Sequence, residues 1–213
     1  MKITLAKTAG FCFGVNRAVQ MVYDLVDSGE RVCTLGPIIH NSQMVEELTK
    51  KGVRVVNTPD EAQKEETLVI RSHGVGKTVY DDAESAGVKV CDATCPFVAK
   101  IHKIVAEQSA GGDTILIAGD EKHHEVIGIV GHCASQYYVF SSVEELENLL
   151  ENHPEIKKIP VSVVSQTTFN AKKWENAQIF LKKVCTNAKI FDTICNATST
   201  RQAEAQELAA AND

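Results

Sequence analysis

The chain has 213 residues, 44% of them hydrophobic and 23% charged, with a formal net charge of −6. That length and mixture fit one large domain or two lobes with a real apolar core, and the acidic balance argues against a nucleic-acid surface. No apolar run reaches the length of a membrane span, and "MKITLAKTAGF" is interrupted by Lys7 and Thr8 too early for a signal peptide, so a cytoplasmic protein without a membrane partner is expected.

Along the chain, short β-branched runs alternate with amphipathic ones. The patterns predict a strand at Ile3–Ala6, a helix at Gly14–Asp27, a strand at Arg31–Leu35 and a helix at Ser42–Lys51. Strands at Val53–Val56 and Thr67–Arg71 follow, then a helix at Lys77–Ala86 and a strand at Val88–Cys91. The helix at Phe97–Ser109 turns Val98, Ile101, Ile104 and Val105 one way and Lys100, Lys103 and Glu107 the other. The remainder reads as strand Thr114–Ala118, helix Glu125–Cys133, strand Tyr137–Phe140, helix Val143–Glu151, strand Ile159–Val164, helix Ala171–Cys185, strand Lys189–Phe191 and helix Ser199–Ala211. Such alternation predicts an α/β fold: repeated three-layer lobes with mostly parallel sheets.

One pattern occurs twice. "KVCDATCP" begins at Lys89 and "KIFDTICN" at Lys189, 100 residues apart, and each places Asp-x-x-Cys after a strand and before a helix. A third cysteine, Cys12 in "AGFCFGVNRA", also precedes a predicted helix. A helix N-terminus favours a thiolate, so Cys12, Cys95 and Cys195 are candidates for one shared soft-metal site. The other four, Cys33, Cys91, Cys133 and Cys185, sit beside apolar residues and read as small buried hydrophobes. There is no C-x-x-C, and disulfides do not persist in a cytoplasmic setting. Three thiolates would leave one metal position open, the arrangement a substrate needs.

Polar residues gather at other strand ends, where open α/β sheets bind ligands. "PIIHN" places His40 there, "VIRSHGVGK" places His73, "AGDEKHHEVIG" places His123, His124 and Glu125, and "SVVSQTTFN" places Gln166, Thr167 and Thr168. Histidines together with helix N-terminal N–H groups suit a phosphate or diphosphate. Glu125 opens a helix and reads either as a dipole-complementing carboxylate or as a general acid. "GVGK" lacks the full phosphate-loop spacing, and His102, His132 and His153 lack the strand-end placement.

Taken together, "GFCFGVNRA", "IIHN", "SHGV", "DATCP", "HHEVIG", "SQTT" and "ICNATSTRQ" resemble the 4-hydroxy-3-methylbut-2-enyl diphosphate reductase family, from Lys2 to about Gln202 and in family order. The resemblance implies three α/β lobes around a central [4Fe-4S] iron-sulfur cluster, with Cys12, Cys95 and Cys195 as ligands and one open iron for the substrate's allylic hydroxyl. It implies lobes at 1–96, 97–194 and 195–213. His40, His73 and His123 are then the diphosphate residues, with protonated imidazole supplying positive charge, Thr167 a hydroxyl-network residue and Glu125 the proton donor. The implied reaction is the two-electron, two-proton removal of that hydroxyl, giving isopentenyl and dimethylallyl diphosphates, the last step of the non-mevalonate pathway. Electrons would come from a ferredoxin or flavodoxin.

Two departures stand out. His124 occupies a position where many members have proline. Family members also continue past residue 213 with a Ser/Asn-rich loop that completes the diphosphate site. The third lobe is therefore expected to be incomplete, its helix loose, Cys195 poorly fixed, and turnover by these residues alone slight or nil. The competing classes are an iron-sulfur electron carrier or redox sensor, which leaves the histidines and Glu125 without a purpose, and a metal-free phosphate-binding protein, which leaves the repeated Asp-x-x-Cys without one.

Overall fold

Two four-stranded sheets carry the fold. In the first, β1 (Arg31–Leu35), β2 (Arg54–Val56), β3 (Glu66–Ile70) and β4 (Lys89–Asp92) lie in the order β2-β1-β3-β4. In the second, β5 (Thr114–Ala118), β6 (Tyr137–Phe140), β7 (Val161–Ser165) and β8 (Ala188–Ile190) lie in the order β6-β5-β7-β8. Every pairing is parallel, with Cys33 beside Leu68 and Leu116 beside Val163 as register marks. The computed structural model describes residues 3–211. The outermost residues of the expected first and third lobes, 1–2 and 212–213, lie outside the described residues.

Parallel strands need helical crossovers that cover both faces. The helices are α1 (Phe13–Asp27), α2 (Ser42–Lys50), α3 (Lys77–Ser85), α4 (Pro96–Ala110), α5 (His124–Val130), α6 (Val143–Asn152), α7 (Ala171–Val184) and α8 (Ala197–Ala211). On the first sheet, Val32 and Val69 pack under α1 and α2 with Ala18, Val22 and Leu48, while Cys33, Leu68 and Ile70 face α3 through Ala83. On the second, Ile115 and Ile117 pack on α4 and α5, and Leu116 packs on α6 and α7 around Trp174 and Leu181. Strand β5 is thus buried on both faces, which is why "TILIA" is an unbroken apolar run. Each fully buried Ile or Leu contributes about 1.5–3 kcal/mol, so a charge at Leu116 would be enough to break this half of the fold.

The two sheets share one plan. In each, the strand order reverses between the first and third strands, so the loops after β1 and β3, and after β5 and β7, flank a crevice at the strand C-terminal ends. In each, the fourth strand leads to an Asp-x-x-Cys turn and another helix, α4 or α8.

The expected strand at Ile3–Ala6 is absent. Those residues have no regular structure, join neither sheet, and leave Ile3 80% and Leu5 81% exposed. Apolar alternation over four residues makes a strand only where a neighbour can pair with it. Helix α5 stops three residues before the predicted Cys133, because after Gly131 the bonds tighten to i−3: His132 N donates to Ile129 O at 3.0 Å and Cys133 N to Val130 O at 3.0 Å. Single turns of tighter helix at Pro59–Glu61 and Pro154–Lys157 precede β3 and β7. Helix α8 buries no residue, and the bonds that reach it from the rest of the chain are polar. Glu204 accepts from the backbone N–H groups of Lys7 and Thr8 and from the Thr8 hydroxyl, and Arg201 Nε donates to Thr8 O at 2.9 Å. No helix among the described residues is long and apolar enough to cross a membrane.

Candidate active site

Cys12 and Cys95 are the N-cap residues of α1 and α4, and Cys195 lies just before α8. Neither cysteine makes the side-chain capping bond that Ser or Asp would, and at α4 the N–H groups of Phe97 and Val98 act on the Cys95 thiol. The backbone holds the turns in place. Cys95 N donates to Ser72 O at 2.9 Å, and Cys195 N donates to Thr167 O at 2.8 Å. Arg17 on α1 reaches across to Thr94 O at 3.1 Å.

The three thiols, contributed by separate parts of the chain, line one cavity of about 140 Å³. Helix α1 approaches Cys95 so closely at Gly14 that an added Cβ there would lie 2.5 Å from Cys95 Sγ. Burial raises the Cys95 thiol above its ordinary range, the N–H groups of Phe97 and Val98 hold it down, and the nearby Cys12 and Cys195 charges push it up again. Among the described residues, no three His, Cys, Asp or Glu side chains close on a single ion. The thiols instead border a space, a donor set that suits a polynuclear group of soft metal ions.

Glu125 and Thr167 line the same cavity. Glu125 is 2% exposed. Its Oε1 accepts from Thr167 N at 2.6 Å and its Oε2 from Thr167 Oγ1 at 2.7 Å. Burial raises its pKa above the ordinary carboxylate value, although the two Thr167 bonds and the nearby His123 pull the other way. A buried carboxyl whose pKa lies above the ordinary carboxylate value suits a general acid.

The histidines form the outer part. His73 lines the cavity, and its ring lies 5.4 Å from that of His40 and 5.7 Å from that of His123. His124 stacks parallel to His40 at 6.0 Å. His123 caps α5, its Nδ1 accepting from Glu125 N at 3.1 Å. With Nδ1 as the acceptor in that bond, the ring's N–H is the one at Nε2. His73 does not supply the positive charge that a diphosphate pocket suggested. Burial, then the charges of His123, Arg71, His40 and His124, push its pKa down to about 4, so at neutral pH it offers a neutral N–H.

The profile of the family described as LytB protein matches residues 3–213. The chain belongs to the LytB family. Among LytB relatives, the 4-hydroxy-3-methylbut-2-enyl diphosphate reductase of Caldanaerobacter subterraneus subsp. tengcongensis is 44% identical over 212 residues, covering 98% of this chain and 72% of the relative. The protein of the same name from Clostridioides difficile strain 630 is 40% identical, covering 98% of this chain and 74% of the relative. A solved (E)-4-hydroxy-3-methyl-but-2-enyl diphosphate reductase, described as the terminal enzyme of the non-mevalonate pathway, superposes with a TM-score of 0.81 at 36% identity, covering 97% of this chain and 73% of that one. The Plasmodium falciparum E-1-hydroxy-2-methyl-but-2-enyl-4-diphosphate reductase superposes with a TM-score of 0.83 at 25% identity, covering 91% and 61%.

In this LytB chain, Cys12, Cys95, Cys195, Glu125, Thr167 and His73 meet at one cavity, while His40 and His123 lie one ring further out. Sequence reasoning missed Arg71 and Arg201. Arg201 lines the cysteine cavity from α8, where it reads as one more polar residue on a polar helix. Arg71 reads as the last residue of a strand, and its charge reaches both His73 and His124. Its place two residues before His73 at a strand end was the available signal.

Proposed function

We infer that this chain is a 4-hydroxy-3-methylbut-2-enyl diphosphate reductase, which removes the allylic hydroxyl of its substrate with two electrons and two protons to give isopentenyl or dimethylallyl diphosphate and water. The observation that carries the reading is the meeting of three cysteine thiols with the buried Glu125–Thr167 pair around one cavity. The LytB-family relatives named for this activity support it.

The donor set of Cys12, Cys95 and Cys195 suits a [4Fe-4S] cluster, held by three thiolates with one iron open. Such a cluster supplies the electrons and a Lewis-acidic iron to a poor leaving group. The protein's part is acid catalysis and positioning. Glu125 delivers its proton to the departing hydroxyl oxygen, which leaves as water. Thr167 Oγ1 both donates and accepts, so it holds Glu125 in either protonation state and orients the hydroxyl. His123 Nε2–H, His40 and His73 line the path to the diphosphate. Burial of the Glu125–Thr167 pair keeps bulk water from the reacting carbon. A ferredoxin or flavodoxin is the proposed electron donor.

The test is substrate-dependent oxidation of a reduced viologen dye, after anaerobic reconstitution, by this chain extended with the segment its relatives carry beyond the matched 72% of their length. Turnover is expected of the extended chain, little or none of residues 1–213 alone, and Glu125→Gln in the extended chain should lose roughly two orders of magnitude or more. An extended chain that oxidises the dye no faster with substrate than without is an electron carrier, and the inference fails.

A further inference from the structure

Arg71 has an unusual position for a cation. Its guanidinium is half-buried, its Nε is buried without a hydrogen bond, and it pairs with no carboxylate among the described residues. Burial alone depresses its pKa, with no compensating neighbour. A desolvated charge left without a partner is costly. The Arg71 side chain lies against Gly36, whose φ of +67° suits glycine and where a Cβ would come 2.7 Å from Nη1.

Arg71 opens onto a cavity of about 420 Å³. The cavity shares no lining residue with the cysteine cavity, and it contains no Asp or Glu. One part of its wall is Arg71 and His124, with Asn57 nearby, and another is aliphatic, formed by Leu35, Val75, Val79 and Ile127. Its size is that of a small-molecule site. An uncompensated cation beside an apolar wall selects an amphiphilic anion, and a guanidinium suits phosphate oxygens.

We propose that this cavity is a second ligand site, which takes a diphosphate carrying an apolar chain, its anionic end on Arg71 and His124 and its chain along Leu35, Val75, Val79 and Ile127. Bound there, the ligand sits beside the outer histidines without entering the cysteine cavity. A prenyl diphosphate longer than the five-carbon products fits this chemistry, and the site then senses molecules made from those products by condensation.

The experiment is calorimetric titration of the reconstituted chain with geranyl diphosphate, and separately with inorganic diphosphate. Saturable geranyl diphosphate binding is expected, tighter than that of inorganic diphosphate. Arg71→Gln should weaken it at least tenfold. Ile127→Glu, at a position 54% exposed and so tolerant of charge, should do the same, which guards against a misfolded Arg71 variant. His123→Asn should leave it within threefold. If His123→Asn abolishes binding while Arg71→Gln and Ile127→Glu do not, the ligand lies in the histidine pocket and the proposal is wrong. It is also wrong if geranyl diphosphate does not bind, or binds no more tightly than inorganic diphosphate. Iron content of the same samples reports on the cysteine site separately.

Discussion

Gly131 and Gly76 meet across the seam between the two halves. A Cβ on Gly131 would lie 2.5 Å from Gly76 Cα, and Lys77 N donates to Gly131 O at 3.2 Å. Gly76 precedes α3 of the first half and Gly131 ends α5 of the second, the helix that Glu125 opens. The approach of two backbones therefore sets how Glu125 sits relative to Ser72, His73 and Cys95.

Gly131 has φ −65°, so alanine can adopt its backbone without strain. Gly131→Ala should act through the contact alone, costing roughly 1–3 kcal/mol as overpacking does. Reductase turnover should fall more than the melting temperature suggests, because the halves separate where they share a site. Thermal denaturation and turnover on the same preparation check this, and unchanged turnover would mean that the seam does not position Glu125.

Thr167→Val removes the hydroxyl bond to Glu125 Oε2 and keeps the backbone bond to Oε1. A bond donated to a carboxylate lowers its pKa, so its loss raises the pKa of a group that burial has already raised. The alkaline limb of the turnover profile should shift to higher pH, with a lower maximum. Thr167→Ser should restore the original limb. A limb that stays in place in the valine variant would show that the hydroxyl does not tune Glu125.

The fold was legible wherever burial imposes a period. The run "TILIA" and the helix from Pro96 to Ala110 follow from apolar spacing, and the repeated Asp-x-x-Cys marked two of the three turns that meet at the cavity. Period-two alternation at Ile3–Ala6 was identical in kind and misleading, because pairing partners are a tertiary property. The same limit hid Arg71 behind Gly36, and hid His102, whose ring stacks on His132 at 4.2 Å from a different helix-end loop. Spacing along a chain does not report which cations a fold leaves without carboxylates.

Acid should unfold the chain through its buried imidazoles. His73 and His102 are both held at about 4, chiefly by burial, against an ordinary value of 6.5. Below pH 6.5 the unfolded chain binds protons that the native one refuses, so stability falls as pH drops from about 6.5 to 4, by at most about 3 kcal/mol per group. His102→Gln should flatten that slope in denaturant titrations at pH 7 and pH 5. An equal slope in the variant would assign the acid loss elsewhere.

Glu204 and Arg201 tie α8 to Lys7 and Thr8, and Arg201 also lines the cysteine cavity. Glu204→Ala should loosen both ends of the chain around Cys12 and Cys195. After anaerobic reconstitution, a chelator should strip iron severalfold faster than from the parent. Equal stripping rates would show that the tie does not guard the site.

The central claim is that Cys12, Cys95 and Cys195 hold one iron-sulfur group beside Glu125. Iron and acid-labile sulfide, measured per chain after identical anaerobic reconstitution of Cys95→Ser and Cys185→Ser, test it most directly. Cys185 is packed in the core beside Leu181 and away from the cavity. The account predicts that Cys95→Ser loses most of its iron and sulfide while Cys185→Ser retains the parent amount. Equal iron and sulfide in the two variants would contradict it.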